Sequence, residues 1–351
     1  MDVGPCSISN SLERIVIPSP GGYRLKWQGK KVLVTGAGGF IGSHLSERLV
    51  EEGASVRAFV HYNGAGTRGW LDQSSCQQDI EFIAGDIVDR DMVMEAMDGI
   101  EVVFHLAALI AIPYSYHAPL AYIRTNIEGT LNVLQAARAA GIERLVHTST
   151  SETYGTARYV PIDEGHPLQG QSPYAASKIG ADKLAESFHC SFKVPVVTVR
   201  PFNTFGPRQS ARAVIPTVIS QCLTNKPVTL GNLKPTRDLN FVANTVDGFL
   251  LAASAPAAVG RTINLGSGRE VSIGDLARII QQLCGRSTAV QTDLQRMRPE
   301  NSEVDRLLAS NSLAKTLLGW EPRVSLEDGL QHTIAWMQGN LEWYRPDVYS
   351  I

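Results

Sequence analysis

Val34-Thr35-Gly36-Ala37-Gly38-Gly39-Phe40-Ile41-Gly42 is the stretch whose reading decides the fold. Ahead of it, Val32-Leu33-Val34 is a short unbroken apolar run, the mark of a strand buried on both faces of a parallel sheet. Behind it, Ile41, Leu45 and Leu49 recur every four residues, one face of a helix. Gly36 permits the tight turn, Gly39 lets backbone approach a pyrophosphate, and Gly42 lets the helix pack on its strand. The helix N-terminus at Phe40 and Ile41 then offers free N–H groups to the phosphate charge. Glycines serving turn shape alone would read the same. The position between a clear strand and a clear helix favours dinucleotide binding.

The alternation continues downstream. Val56 to Val60, Phe82-Ile83-Ala84, Val102-Val103-Phe104, Leu145-Val146 and Val196 to Val199 read as further strands, with helices over about 120–140 and 174–188. Strands alternating with helices, joined by right-handed crossovers, predict an α/β Rossmann fold with a doubly wound parallel sheet. After Pro201 the pattern loosens into turns and short helices near 273–284 and 312–318, read as a smaller mixed C-terminal substrate-binding domain. The expected division is an N-terminal extension over 1–28, an NAD(P)-binding domain over 29–200 and a mainly substrate-binding domain over 201–351. Part of 238–265 is expected to return to the Rossmann sheet.

Composition excludes several classes. A net charge of -2 lacks the basic excess of a nucleic-acid binder. The five cysteines are scattered and form no C-x-x-C, so neither a disulfide framework nor a zinc site is expected. They read as reduced thiols of a cytoplasmic protein. No apolar run reaches the ~18 residues of a membrane span, and the first 28 residues lack the apolar core of a signal peptide. No metal is expected.

The second strand ends in Val60-His61-Tyr62-Asn63 with no acid for an adenosine ribose, and Arg68 follows, so NAD and NADP both stay open. His61 is placed over the adenine. Asp86 and Ile87 follow the third strand, where an adenine amino group could be held; an ordinary turn aspartate fits nearly as well. Leu106 and Ala107 end the fourth strand and leave room for a cofactor.

Tyr174 and Lys178 stand four apart on one helix face. An ammonium beside a phenol favours the phenolate and lowers its pKa from about 10, so such a tyrosine can take an alcohol proton as hydride leaves the same carbon. Surface Tyr–Lys pairs are common. Here the pair follows both the glycine-rich turn and the strand end Thr148-Ser149-Thr150-Ser151-Glu152-Thr153-Tyr154-Gly155.

With those motifs together, the chain from about residue 30 onward resembles an extended short-chain dehydrogenase/reductase of the nucleotide-sugar epimerase/dehydratase group. Thr150-Ser151-Glu152 is similar to its dehydratase triplet, with Ser151 where many members carry an aspartate general acid, as in the GDP-mannose 4,6-dehydratase branch. Pro161-Ile162-Asp163-Glu164, Gln171-Ser172-Pro173-Tyr174 and Arg200-Pro201-Phe202-Asn203 resemble the legionaminic-acid-type branch acting on nucleotide-linked N-acetylglucosamine.

The resemblance implies a tightly held, recycled NAD or NADP and catalytic roles for Thr150, Ser151, Glu152, Tyr174 and Lys178. It also implies sugar-nucleotide contacts from Asn126, Asn203, Arg237 and Arg298, and a homodimer built on the helices near 120–140 and 174–188. The expected activity is an NDP-sugar 4,6-dehydratase on UDP- or GDP-N-acetylglucosamine. Its rivals are a UDP-sugar 4-epimerase, weakened by Glu152, a UDP-glucuronate decarboxylase, weakened by Ser177, and a non-catalytic NAD(P)-binding sensor or scaffold.

Overall fold

The computed structural model describes residues 27–344. Most of the expected N-terminal extension, with Cys6, lies outside the described residues.

The first part of the chain runs β1 (Lys31–Thr35), α1 (Phe40–Glu51), β2 (Ser55–His61), β3 (Ile80–Gly85), α2 (Arg90–Ala96), β4 (Val102–His105) and α3 (Ile112–His117). A helical path follows through α4 (Pro119–Tyr122), a π-helical segment (Ile123–Glu128) and α5 (Gly129–Ala140), then β5 (Arg144–Thr148), α6 (Pro173–Phe192) and β6 (Val196–Pro201). The later part adds β7 (Asn203–Phe205), α7 (Val214–Leu223), β8 (Val228–Leu230), β9 (Thr236–Phe241), α8 (Val242–Ser254), β10 (Thr262–Leu265) and β11 (Glu270–Ser272). It ends with α9 (Ile273–Leu283), β12 (Val290–Thr292), α10 (Ser312–Leu318) and α11 (Leu326–Gln338).

Seven strands form one sheet in the order β10-β6-β5-β4-β1-β2-β3, every pair parallel. The doubly wound Rossmann sheet expected from the alternation is therefore present. Both faces are covered. Val32 and Val34 pack with Leu45, Leu49 and the α8 residues Val246 and Phe249 on one side. Leu33 packs on the other with Val103, Leu145 and the α5 residues Val133 and Leu134. This two-sided burial explains the unbroken apolar run, since after the exposed Lys31 no position of the strand faces water. β10 joins the same sheet, pairing Thr262–Leu265 with Thr198–Pro201. Two small sheets, β11-β9-β7 and β12-β8, stand outside it.

The chain order reverses at β1, which has β2 on one side and β4 on the other. In open parallel sheets the crevice beyond the strand ends at this reversal is where ligands bind. Two elements bring side chains there. The Ser151–Tyr154 3₁₀ turn follows β5, with Thr150 Oγ1 accepting from Glu152 N–H at 3.3 Å. Helix α6 starts beside it, capped by Ser172 Oγ, which accepts from Ala175 N–H at 3.1 Å, with Pro173 in its first turn.

Candidate active site

A cleft of about 1020 Å³ opens at the reversal point. One end is lined by Gly36, Gly39, Phe40, Ile41, Gly42, His61, Leu106 and Ala107, the middle by Thr150, Ser151, Glu152, Tyr174 and Lys178, and the far end by Asn203, Arg237 and Arg298. Its volume is at the top of the range for a single small ligand, so there is room for two.

The glycine end is a cradle that side chains would fill. Gly36 has φ +71, and a Cβ on it would come 2.8 Å from Ala107 N. A Cβ on Gly42 would come 2.2 Å from Gly36 O and 2.9 Å from Ala37 Cα. Helix α1 has no side-chain cap at Gly39, so its first N–H groups remain open to an anion. These residues fit a dinucleotide pyrophosphate. Beyond β2, Asn63 ties the loop shut, donating to Thr67 O at 2.8 Å and accepting from Thr67 N–H at 3.1 Å. Arg68 lies over the Phe82 ring at 4.3 Å. No carboxylate from residues 60–69 enters the cleft.

Tyr174 and Lys178 are both buried, 7% and 4% exposed. Lys178 Nζ donates to Thr148 O at 2.6 Å. Burial brings its ammonium down to about 8, with Asp182 pulling it up. The Tyr174 phenol is pushed above its ordinary value by burial; the Thr150 hydroxyl acts downward, and Glu152, Tyr122 and Asp182 act upward. Sequence spacing predicted a phenol lowered by the neighbouring ammonium. In the cleft as it stands, desolvation wins and the phenol is neutral at neutral pH. Glu152 is 8% exposed on the cleft wall, its Oε2 4.0 Å from Arg298 Nη1.

At the far end Glu303 lies between two cations, 3.4 Å from Arg237 Nη2 and 3.7 Å from Arg298 Nη1. The buried polar atoms Arg298 Nη1 and Asn203 Oδ1 make no hydrogen bond. Unsatisfied buried groups on a cleft wall are what an absent polar ligand would explain. Glu303 was missed by sequence reasoning, because it sits in a stretch without periodicity or motif.

Three expected site residues lie elsewhere. Asp86 is exposed and its carboxylate accepts from Val88 N–H at 3.0 Å, an ordinary turn. Ile87 is buried in the core against α5. Asn126, expected at the substrate, is buried and does not line the cleft. Its amide accepts from Leu109 N–H at 2.8 Å and donates to Leu109 O at 3.0 Å and Ser177 Oγ at 2.9 Å. It sits in the π-helical segment, a feature that often marks functional sites. Asn126 thus ties the strand-end loop to α6.

Residues 33–333 match the family model described as GDP-mannose 4,6 dehydratase. The chain belongs to this family. As a member of the GDP-mannose 4,6 dehydratase family, it has relatives of several activities, among them the UDP-glucuronic acid decarboxylase 1 of Xenopus tropicalis, 33% identical over 337 residues and covering 91% of this chain and 75% of that one. The UDP-glucose 4-epimerase of Mycolicibacterium smegmatis is 32% identical over 314 residues, covering 88% of this chain and 98% of that one. The dTDP-glucose 4,6-dehydratase of an Actinoplanes species is 32% identical over 322 residues, covering 90% and 99%. Among solved structures, the dTDP-glucose 4,6-dehydratase of Streptomyces venezuelae, with NAD bound, superposes with a TM-score of 0.81 at 29% identity, covering 90% of this chain and 99% of that one. The UDP-glucuronic acid 4-epimerase of Bacillus cereus, with UDP-glucuronic acid and NAD, gives 0.81 at 30%, covering 88% and 99%. The family is one of NDP-sugar 4,6-dehydratases and 4-epimerases on the extended short-chain dehydrogenase/reductase fold.

Proposed function

We propose that this member is an NDP-sugar 4,6-dehydratase, with UDP- or GDP-N-acetylglucosamine as its substrate class and NAD or NADP held as a recycled cofactor. One observation carries the reading: the Glu152 carboxylate, buried on the cleft wall in the turn beside Tyr174. A 4-epimerase moves one hydride off and back at the same carbon and needs no such base.

Held by the glycine turn at Gly36, Gly39 and Gly42, the nicotinamide cofactor would supply the hydride acceptor and donor. The residues of the chain do the rest. Tyr174 takes the C4 hydroxyl proton as that carbon is oxidised. The ammonium of Lys178, one turn further along α6, favours the phenolate this step needs. The new C4 ketone makes the C5 proton acidic, and Glu152 removes it. The 6-hydroxyl departs as water, taking a proton from Glu152, with Ser151 in the position of the family's general acid. Hydride return to C6 and reprotonation at C5 give the 4-keto-6-deoxy sugar. Arg237, Arg298 and Asn203 hold the diphosphate, for which the planar arginine fork is suited.

The same reading takes the chain as a cytoplasmic homodimer. Leu120 and Ile123 are 59% and 51% exposed along the α4–π segment, an apolar surface that a second copy would cover.

Incubation with UDP- and GDP-N-acetylglucosamine, GDP-mannose and UDP-glucuronate, followed by mass spectrometry, tests the proposal. Loss of one water is the expected result. Loss of carbon dioxide, an isobaric epimer, or binding with no turnover of any sugar would each overturn it.

A further inference from the structure

Behind the catalytic helix lies a buried polar chain that the proposed chemistry does not use. Asp182 stands one turn beyond Lys178 on α6 and is buried, 5% exposed. Its Oδ2 accepts from Ser149 Oγ at 2.6 Å and from Arg200 Nη2 at 2.9 Å and Nε at 3.3 Å. Its Oδ1 pairs with His147 Nε2 at 3.1 Å. Lys178 meanwhile holds the carbonyl of Thr148. Two successive turns of α6 therefore grip three consecutive residues, His147, Thr148 and Ser149, at the end of β5. The next residues are Thr150, Ser151 and Glu152.

Arg200 extends the chain to the other side of that turn. Its Nη1 donates to Tyr154 OH at 3.0 Å, Tyr154 OH donates to Asn264 Oδ1 at 2.8 Å, and Asn264 Nδ2 donates to Ile162 O at 3.1 Å. The Thr150–Glu152 turn is thus anchored at both ends by one connected network. A buried ion pair is weak evidence of stabilisation, since desolvation consumes most of the attraction. A network placed here is better explained by what it positions.

Resting on the assignment of Tyr174 and Lys178 made above, we propose that Asp182 is a positioning residue of the reaction. It fixes the end of β5 against α6 and supplies the counter-charge for the Lys178 ammonium. The groups facing Lys178 leave Asp182 as the anion that acts on it. His105 and His147, packed on it from β4 and β5, are both held low by burial and stay neutral. Asp182 itself is held down at about 2 against the upward push of burial, by the His147 and Ser149 hydrogen bonds and the Arg200 charge. Arg200 lies on its far side, and Tyr154 is a neutral phenol, raised by burial. Tyr174 and Glu152 complete the surroundings on the cleft side.

Asp182→Asn and Arg200→Met test this, because they should act in opposite directions. Loss of the carboxylate removes the anion that holds the Lys178 ammonium up against burial, so the ammonium is lost at lower pH. The alkaline limb of the pH–rate profile should move down by about one pH unit or more. Loss of Arg200 leaves the carboxylate unshared, and the limb should move up. The double variant removes the Asp182 and Arg200 charges together, so neither is left facing the other's empty place, and it should fold even where a single variant does not; its limb should lie between the two. Side-chain NMR of the lysines in the cofactor-loaded protein reads the same titration without any substrate. A failure of the proposed activity is therefore distinguishable from a failure of this inference. Rates that fall with the limb and the Lys178 titration unmoved in every folded variant would overturn it and leave the network a structural one.

Discussion

Gly42→Ala puts the dinucleotide cradle to a quantitative test. The added methyl would stand 2.2 Å from Gly36 O and 2.9 Å from Ala37 Cα. Both are backbone atoms, so no side chain can swing aside. Ordinary contact needs about 1 Å more, and α1 can give it only by moving off β1. That movement disturbs Leu45 and Leu49, both fully buried under the sheet, and overpacking of this kind costs about 1–3 kcal/mol. It also carries the open N–H groups of the first helical turn away from the pyrophosphate. If half or more of that strain falls on the bound geometry, cofactor affinity drops roughly tenfold, since 1.4 kcal/mol is a factor of ten. The melting temperature should fall by several degrees. Two neighbours give the scale. Gly39→Ala meets only Gly36 O at 3.2 Å, and Gly64→Ala meets nothing within 4 Å. Calorimetric titration with NAD and NADP, with thermal melts, should rank the losses 42 above 39 above 64. Wild-type affinity and melting in Gly42→Ala, or equal losses at all three positions, would refute the argument.

Other outcomes follow from the same geometry. Glu152→Gln should lower dehydration about 10²–10⁴-fold while keeping cofactor affinity, because general-base catalysis is worth that much; turnover with calorimetric titration checks both. Tyr174→Phe should abolish the reduced-cofactor absorbance on mixing with substrate in a single turnover. Arg298→Ala should raise KM more than it lowers kcat, as steady-state kinetics will read, since it removes a contact made in ground and transition states alike. Asp182 also sets an acid limit. Its folded pKa, about 2 against an ordinary 3.8, lies below the unfolded value, so its stabilisation is complete above about pH 4 and is lost as pH falls toward 2. That is about 2 kcal/mol, visible as a steeper acid-unfolding limb than that of Asp182→Asn.

The frame of this fold was legible where burial was two-sided. Val32, Leu33 and Val34 are all fully buried, so a continuous apolar run could mean only an inner strand. The Tyr174–Lys178 spacing was legible because helix geometry alone brings the two to one face. Helix α8 was not legible as a helix, since most of its thirteen residues are buried and its pattern has no polar side to give a period. The three-residue strands β7, β8, β11 and β12 are too short to alternate recognisably. Asn126 was misplaced at the substrate because an α-helical reading does not anticipate a π segment. The direction of the Tyr174 shift was missed because spacing reports the neighbouring charge and is silent on desolvation, the larger effect here.

The widened turns at Ile123–Glu128 have an evolutionary implication. A π segment amounts to an α-helix carrying a single surplus residue. Deleting one residue there would restore regular winding without rotating α5 out of register, so the bundle of helices could tolerate the loss. What would go slack is the tether from Asn126 to Leu109, and with it the stretch leading into α3 that lines the cleft. A lineage could therefore loosen or retune its grip on substrate by a one-codon change, and keep its scaffold intact.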